Sequence, residues 1–143
     1  MEPDNLERKA VELREANAFA LFNHLEIEHV ERDFAVFKLE IRPESRNPLG
    51  FVHGGMLAAM ADNAAGFAAH SDGRTYVTLS SHLNYIHNQT CGVIYAEGRV
   101  LHRGKTTCVI RVDIKGDNGA LLATGEVVYF CVDKTEYEKH AAK

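Results

Sequence analysis

HGGMLAAMADNAAGFAAH, the sequence of residues 53–70, contains the segment that shapes the architecture of this chain. From residue 56 to residue 69 this segment is apolar almost without interruption. A helix that is apolar nearly all round is buried on most of its sides. The small side chains in it, mostly alanine, allow neighbouring strands to approach closely. We therefore predict a central buried helix with a sheet curled around it.

Alternating apolar and polar residues predict strands on both sides of this helix. Phe37, Leu39 and Ile41 alternate with charged residues, which is typical of a half-buried strand. Two strands before the helix and four after it indicate an α+β fold with a mainly antiparallel sheet. The predicted strands cover residues 27–32, 34–42, 77–85, 93–101, 106–115 and 121–132. In the strand at 77–85, one face is predicted to carry Val77, Leu79, Ser81, Leu83 and Tyr85.

The two ends of the chain have different patterns. Apolar residues spaced by three and four predict a covering helix over residues 4–25, with Asp4 as its N-cap. Residues 133–143 form a charged tail that we expect to fray or to form a short solvated helix. The 143 residues are about one domain in length, and we expect a single domain over residues 1–143.

Charge and composition exclude several classes of protein. Sixteen Lys and Arg against twenty Asp and Glu leave a net charge of -4, and the chain has no basic run, which argues against nucleic-acid binding. It has no apolar stretch of the length that spans a membrane, and no signal peptide is visible. The cysteines, Cys91, Cys108 and Cys131, are odd in number and widely spaced, so we expect free thiols in the cytoplasm.

Asp62 interrupts the apolar helix near its middle. A buried carboxylate without partners is costly, so it either finds donors or changes its proton affinity. One interpretation is purely structural, with Asp62 paired to a backbone amide or a basic residue. The other is catalytic, because an acid in an apolar cleft suits proton transfer.

Gly54 and Gly55 stand where the helix begins, directly after His53. Their backbone N–H groups and the helix dipole favour negative charge, as in an oxyanion hole. The alternative is a tight loop that enters a helix. Gly54 and Asp62 are eight residues apart, about 12 Å along a helix, so one substrate carbon cannot contact both. If both act on one substrate, one of them comes from a second subunit, most simply in a two-fold dimer.

Residues 47–55, NPLGFVHGG, followed by Asp62 in an apolar helix, resemble the hotdog-fold acyl-CoA thioesterases. The subgroup that matches contains the phenylacetate-pathway thioesterase and thioesterase superfamily member 2. The resemblance covers roughly residues 18–132. It implies a sheet wrapped around the long helix, a homodimer or a dimer of dimers, and hydrolysis of an acyl-CoA thioester to the carboxylic acid and CoA.

The same resemblance implies a role for each matching residue. Asp62 would be the nucleophile or the general base, and the Gly54 N–H would bind the thioester oxygen. Asn47 would help to place the thioester or the attacking water, and His53 would brace the loop. A hydroxyl across the subunit boundary would belong to Thr78, with Ser80 and Ser81 as alternatives. Two further residues are predicted to contact substrate, namely Gly55 and Asn63.

The segment HRGKT at residues 102–106 resembles the turn that meets the phosphates of coenzyme A in this family. Arg103 and Lys105 would supply charge, and Gly104 would allow close approach of the backbone. The alternative is an ordinary hairpin turn with surface charges. No separate cofactor is expected, because coenzyme A is part of the substrate.

Two other functions remain open on the same fold. A hotdog (3R)-hydroxyacyl dehydratase or hydratase would use His53 and Asp62 together. A non-catalytic acyl-CoA-binding protein is the second alternative, although that class is expected to have a neutral residue in place of Asp62. His82, His87 and Cys91 suggest a metal site, but the two histidines are an odd number of residues apart and would face opposite sides of one strand, so no metal is expected.

Overall fold

A computed structural model describes residues 6, 8, 12, 13 and 15–132. The predicted tail at residues 133–143 and the predicted N-cap Asp4 lie outside the described residues. The bounds of the six strands and of the central helix agree with the sequence pattern to within about two residues. The elements are α1 (Ala18–Phe22), β1 (Glu26–Glu31), β2 (Phe34–Glu40), a 3-10 turn (Pro43–Ser45), α2 (Gly54–His70), β3 (Thr75–Tyr85), β4 (Val93–Arg103), β5 (Thr107–Lys115) and β6 (Leu121–Val132).

The six strands form one antiparallel sheet in the order β1-β2-β4-β5-β6-β3. Helix α2 contacts all six strands, so the sheet curls around it as predicted. Burial of side chains such as Leu57 and Met60 of α2 contributes about 1.5–3 kcal/mol each. None of the helices in the described part of the chain is long and apolar enough to cross a membrane.

Small residues let β4 lie directly against α2. A Cβ atom added to Gly98 of β4 would stand 2.8 Å from the carbonyl carbon and oxygen of Ala64. Backbone atoms cannot swing away as a side chain can, so only glycine fits at this crossing. The buried alanines of α2 are Ala61, Ala64, Ala65, Ala68 and Ala69.

A β-bulge in β3 alters the predicted face of that strand. Thr78 pairs with Tyr129 of β6, but Ser80 pairs with Val128, and Leu79 is left without a partner in the register. Residues directly opposite in an antiparallel pair share a face, and one extra residue reverses the faces that follow it. The predicted alternation from Val77 to Tyr85 is therefore wrong at its start. The bulge turns the Thr78 side chain towards α2.

The predicted helix over residues 4–25 is interrupted at Asn17. The described residues before Asn17 are helical, and α1 begins after it and ends at Phe22. The Asn17 carboxamide oxygen accepts the Ala20 N–H at 3.1 Å as an N-cap, and its nitrogen donates to Asn63 Oδ1 at 2.7 Å. Asn63 lies on α2, so the break fastens the N-terminal segment to the central helix.

Candidate active site

Two hydroxyl groups hold the Asp62 carboxylate on the side of α2 that faces β3 and β6. Thr78 Oγ1 donates to Asp62 Oδ1 at 2.8 Å, and the Tyr129 hydroxyl lies 2.7 Å from the same oxygen. The Tyr129 hydroxyl also lies 2.6 Å from the Asp62 main-chain carbonyl. Within the described chain, Asp62 Oδ2 has no hydrogen-bond partner. One carboxylate oxygen is therefore fixed and the other is left available.

Tyr129 is a site residue that the sequence did not reveal. It lies on β6, directly opposite Thr78, and only 4% of its surface is exposed. Burial raises the pKa of the Tyr129 phenol far above its usual range, and the Asp62 carboxylate raises that pKa further. The phenol therefore stays protonated at any physiological pH and acts as a donor. Only its alternating position in a strand, among other apolar residues, is visible in the sequence.

A cleft of about 770 Å³ opens beside Asp62. Asn63, which is predicted to contact substrate, is in its wall together with Phe67. The Asn63 carboxamide also has partners within the chain, because its nitrogen donates to the Ala59 carbonyl at 2.7 Å and its oxygen accepts from Asn17. The remaining lining residues are Glu12, Leu13, Ala16, Gly66, His70, Gly73, Thr75, Tyr76, Val77, Thr78 and Tyr129.

His53 caps the beginning of α2. Its ring atom Nδ1 accepts the Gly55 N–H at 2.8 Å, and its main-chain N–H donates to the Ser45 carbonyl at 2.8 Å. The Gly54 N–H has no acceptor within the described part of the chain. The Tyr85 hydroxyl donates to the Gly54 carbonyl at 3.3 Å. Of the two glycines, Gly54 is therefore the one with a backbone donor left for a ligand.

Asn47 organises the loop that leads to this helix. Its side-chain oxygen accepts the N–H groups of Leu49 and Phe51 at 3.0 and 3.1 Å. Its main-chain N–H donates to the Phe51 carbonyl at 2.7 Å. Side chains of this type commonly stabilise turns in this way. The carboxamide oxygen of Asn47 is thus engaged in its own loop, and its amide nitrogen has no partner in the described chain.

Arg103 is drawn into the protein rather than towards solvent. Its guanidinium donates to Asp33 Oδ1 at 2.8 Å and to the carbonyls of Ala68 and Ala69 at 3.0 and 2.9 Å. It also forms an ion pair with Asp72 at 2.8 Å. The predicted contact of Arg103 with phosphate would have to compete with these bonds.

Asp72 is the centre of the same network. Burial would raise the pKa of its carboxyl, but hydrogen bonds from Tyr76 and Arg74 and the charge of Arg103 outweigh burial and lower that pKa to about 2. Arg74 also donates to the carbonyls of Gly104 and Lys105, at 3.1 and 2.9 Å. The β4–β5 turn is therefore tied to the segment between α2 and β3, and Lys105 is exposed at the tip of the turn.

The two halves of the predicted site lie apart within one chain. Gly54 is in the first turn of α2 and is not in the wall of the Asp62 cleft. Ser80 and Ser81 lie beyond the bulge, opposite Val128 and Val127, and neither is in that wall. Thr78 alone of the three candidate hydroxyls reaches Asp62, and it does so within the same chain, so no subunit boundary separates the two.

The described residues place no metal-binding cluster beside these groups. Among the described residues, no three His, Cys, Asp or Glu side chains are grouped so that they could hold a metal ion. His82 lies on β3, whereas His87 lies beyond the end of that strand at Tyr85. The geometry therefore consists of a carboxylate, hydroxyl donors and a helix N-terminus.

A family model described as the thioesterase superfamily matches residues 49–123, which is just over half of the chain. The chain belongs to the thioesterase superfamily. Within the superfamily, the chain is 29% identical over 101 residues to the 1,4-dihydroxy-2-naphthoyl-CoA hydrolase of Listeria monocytogenes. That match covers 68% of this chain and 82% of the Listeria protein. By these relationships the protein is a thioester hydrolase.

Solved structures confirm the predicted hotdog fold. The E. coli PaaI protein from the phenylacetic acid degradation operon superposes with a TM-score of 0.86 at 23% identity, over 90% of this chain and 94% of PaaI. A hypothetical thioesterase from Streptococcus pneumoniae, solved with coenzyme A, gives a TM-score of 0.77 at 30% identity. That match covers 82% of this chain and 93% of the pneumococcal chain.

Proposed function

We propose that this thioesterase hydrolyses an acyl-CoA thioester to the free carboxylic acid and CoA, with Asp62 as the catalytic carboxylate. The observation that supports this most is the arrangement of Asp62 beside a cleft of about 770 Å³: its Oδ1 accepts from two hydroxyls, while its Oδ2 has no hydrogen-bond partner among the described residues. The Listeria relative is named as a CoA hydrolase, and the pneumococcal relative was solved with coenzyme A. Both names favour a CoA thioester as substrate.

In the proposed reaction, the thioester oxygen binds the Gly54 N–H at the positive end of the α2 dipole. Asp62 takes a proton from water, and the water oxygen bonds to the thioester carbon. The tetrahedral intermediate then collapses, the carbon–sulfur bond breaks, and the thiolate takes the proton from Asp62. In the direct route, an oxygen of Asp62 attacks the thioester carbon, and the carbon–sulfur bond breaks to release the CoA thiolate and leave an anhydride. Water then hydrolyses the anhydride to the acid and the Asp62 carboxyl group, whose proton passes to the thiolate. Both routes end with the same acid and the same thiol.

The proposed site uses two copies of the chain. Gly54 and Asp62 are about 12 Å apart along α2, so one substrate carbon cannot contact both within a single copy. Strand β3, which carries Thr78, is an edge strand of the sheet and is exposed along most of its length. We infer that a second copy pairs along β3 and brings its own Gly54 towards Asp62. Asn47 and His53 of that copy would then place the thioester, with Gly55 beside them.

The first experiment measures CoA release from acetyl-, hexanoyl-, dodecanoyl-, phenylacetyl- and benzoyl-CoA with a thiol reagent. Asp62→Asn should lower kcat by about a hundredfold or more on the best substrate, because it removes the proton acceptor but keeps the shape. Asp117→Asn, in an exposed hairpin turn, is the matched control and should keep full activity. Near-full activity of Asp62→Asn would refute the catalytic assignment. Hydration of an enoyl-CoA without thioester cleavage would favour the hydratase instead.

A further inference from the structure

We infer that Tyr129 is a positioning residue that fixes the Asp62 carboxylate through Oδ1 and so makes Oδ2 the oxygen that reacts. The inference rests on the proposed function, since it concerns the same carboxylate. It goes further because it assigns separate tasks to the two oxygens and brings in a residue that the sequence did not suggest. Thr78 supports Oδ1 from β3, and Tyr129 supports the same atom from β6.

The distances show that the Tyr129 hydroxyl joins the side chain of Asp62 to its backbone. The hydroxyl lies 2.7 Å from Oδ1 and 2.6 Å from the main-chain carbonyl of the same residue. A phenol has one proton to donate, and a carboxylate is the stronger acceptor once it is charged. With Thr78 as a second donor to Oδ1, rotation of the carboxylate about its side-chain bond would break two hydrogen bonds. Oδ2 therefore keeps a fixed direction.

Tyr129 itself has little freedom to move. Its ring is buried, and its backbone pairs with Thr78 next to the bulge. Gly66 of α2, one turn beyond Asp62, leaves the room that the hydroxyl fills, because a Cβ atom there would stand 3.0 Å from the Tyr129 oxygen. The phenol thus fills a gap between β6 and α2, with its hydroxyl on Asp62. A side chain held in this way can orient the neighbouring carboxylate.

Other titratable groups share the cleft, and the test must separate them from Asp62. Glu12 approaches from the N-terminal segment, Tyr76 lies on β3, and His70 lies on α2 itself. His70 Nδ1 is 2.7 Å from the Gly66 carbonyl, and its Nε2 accepts the Tyr76 N–H at 3.2 Å. Within the described chain, the hydrogen bonds of the Tyr129 hydroxyl go to Asp62, so a change confined to that hydroxyl leaves Glu12, Tyr76 and His70 in place.

The experiment records kcat and kcat/KM against pH for wild type and for Tyr129→Phe, which loses only the hydroxyl. A donor to the charged carboxylate is removed, so the acidic limb of kcat/KM should move up by about one pH unit. At the pH optimum kcat should fall about tenfold, with KM within twofold, because phenylalanine keeps the ring in the wall of the cleft and only the support of the carboxylate is lost. Tyr95→Phe, on β4 and outside the cleft, is the control and should leave the profile unchanged.

A second variant keeps the test decisive if Tyr129→Phe folds poorly. Incorporation of 3-fluorotyrosine at position 129 retains the hydroxyl and makes it a stronger donor, so the acidic limb should move to lower pH. An unmoved limb in the folded variants, with kcat within twofold of wild type, would overturn the inference. Asp62→Asn separates this outcome from failure of the proposed function. If that variant is inactive while the Tyr129 variants are normal, only the positioning role fails.

Discussion

At the scale of single residues, Arg103 and Lys105 have different surroundings, although the sequence predicts a phosphate contact for both. Arg103 is bonded to Asp33, to Asp72 and to two carbonyls at the end of α2, whereas Lys105 is exposed. Lysine is a point charge and cannot reproduce the planar fork of donors of arginine. The two side chains should therefore fail in different ways when they are substituted.

We predict that Arg103→Lys lowers the free energy of unfolding by about 2 kcal/mol or more, because buried partners lose their donors. Lys105→Ala should raise KM for acyl-CoA by roughly three- to tenfold, while its free energy of unfolding stays within about 0.5 kcal/mol of wild type. Urea unfolding gives the free energy of unfolding of both variants, and steady-state kinetics gives their KM. A raised KM in Arg103→Lys at wild-type stability would instead support the predicted phosphate contact of Arg103.

Site residues that can be predicted from the sequence break a local pattern, whereas those that cannot be predicted depend on partners far along the chain. Asp62 stands out because a charge among alanines breaks a local pattern. Tyr129 obeys its local pattern, and its partner is 67 residues away along the chain. Arg103 is misleading for the same reason, since Asp33 is 70 residues away and the turn around it is typical of a surface hairpin. Local patterns show a residue that is out of place but not the partner that a distant residue finds.

At the scale of elements, the network around Asp72 holds several segments together. Its Oδ2 accepts from Arg74 at 2.7 Å and from the Tyr76 hydroxyl at 2.6 Å, and Arg103 from the end of β4 adds an ion pair. Burial and the bond to Asp72 raise the pKa of the Tyr76 phenol to about 12, so the phenol remains a donor. The beginning of β3, the end of β4 and the end of α2 therefore share one carboxylate.

This network predicts a specific loss of stability in acid. The pKa of Asp72 is about 2 in the folded protein, against an ordinary value of 3.8. Because the folded value is the lower one, the stabilisation is present above pH 3.8 and is lost as the pH falls towards 2. It amounts to at most about 2 kcal/mol. The difference in unfolding free energy between wild type and Asp72→Asn should therefore narrow over that range.

Urea unfolding between pH 6 and pH 2.5 measures this difference, with Asp117→Asn as an exposed control that should stay close to wild type throughout. A difference between wild type and Asp72→Asn that does not change with pH would show that the charge of Asp72 does not stabilise the fold. In that case the hydrogen bonds of the network would act independently of ionisation.

At the scale of the whole molecule, the order of elements follows from the sequence more readily than their interruptions. One helix that is apolar all round needs cover on every side, and a sheet that curls around it provides that cover. The bulge at Leu79 and the break at Asn17 could not be predicted in this way. Each lies beside a hydrogen bond to α2. Thr78, next to the bulge, bonds to Asp62, and Asn17, at the break, bonds to Asn63. Such contacts exist only after the chain has folded.

The exposed edge of β3 leads to the last prediction. An edge strand of eleven residues that carries exposed apolar side chains is a template for pairing with another chain. Leu79 is 61% exposed there, next to Thr78 and the proposed catalytic carboxylate. A charge at Leu79 would have to be buried in the pairing that we propose, and a buried unpaired charge is costly. Leu79→Lys should therefore separate the copies and remove activity together with the interface.

The matched control is Leu101→Lys, which adds the same charge at a side chain that is 53% exposed on β4, three strands away from β3. Sedimentation velocity and CoA release, measured at the same concentrations, compare the two variants with wild type. We expect wild type and Leu101→Lys to be dimers or larger and active, and Leu79→Lys to be a folded monomer with little activity. A monomer of Leu79→Lys with full activity would show that Gly54 and Asp62 need no second copy. Since about 12 Å of helix separates those two residues, the oxyanion donor for Asp62 would then have to lie elsewhere in the same chain.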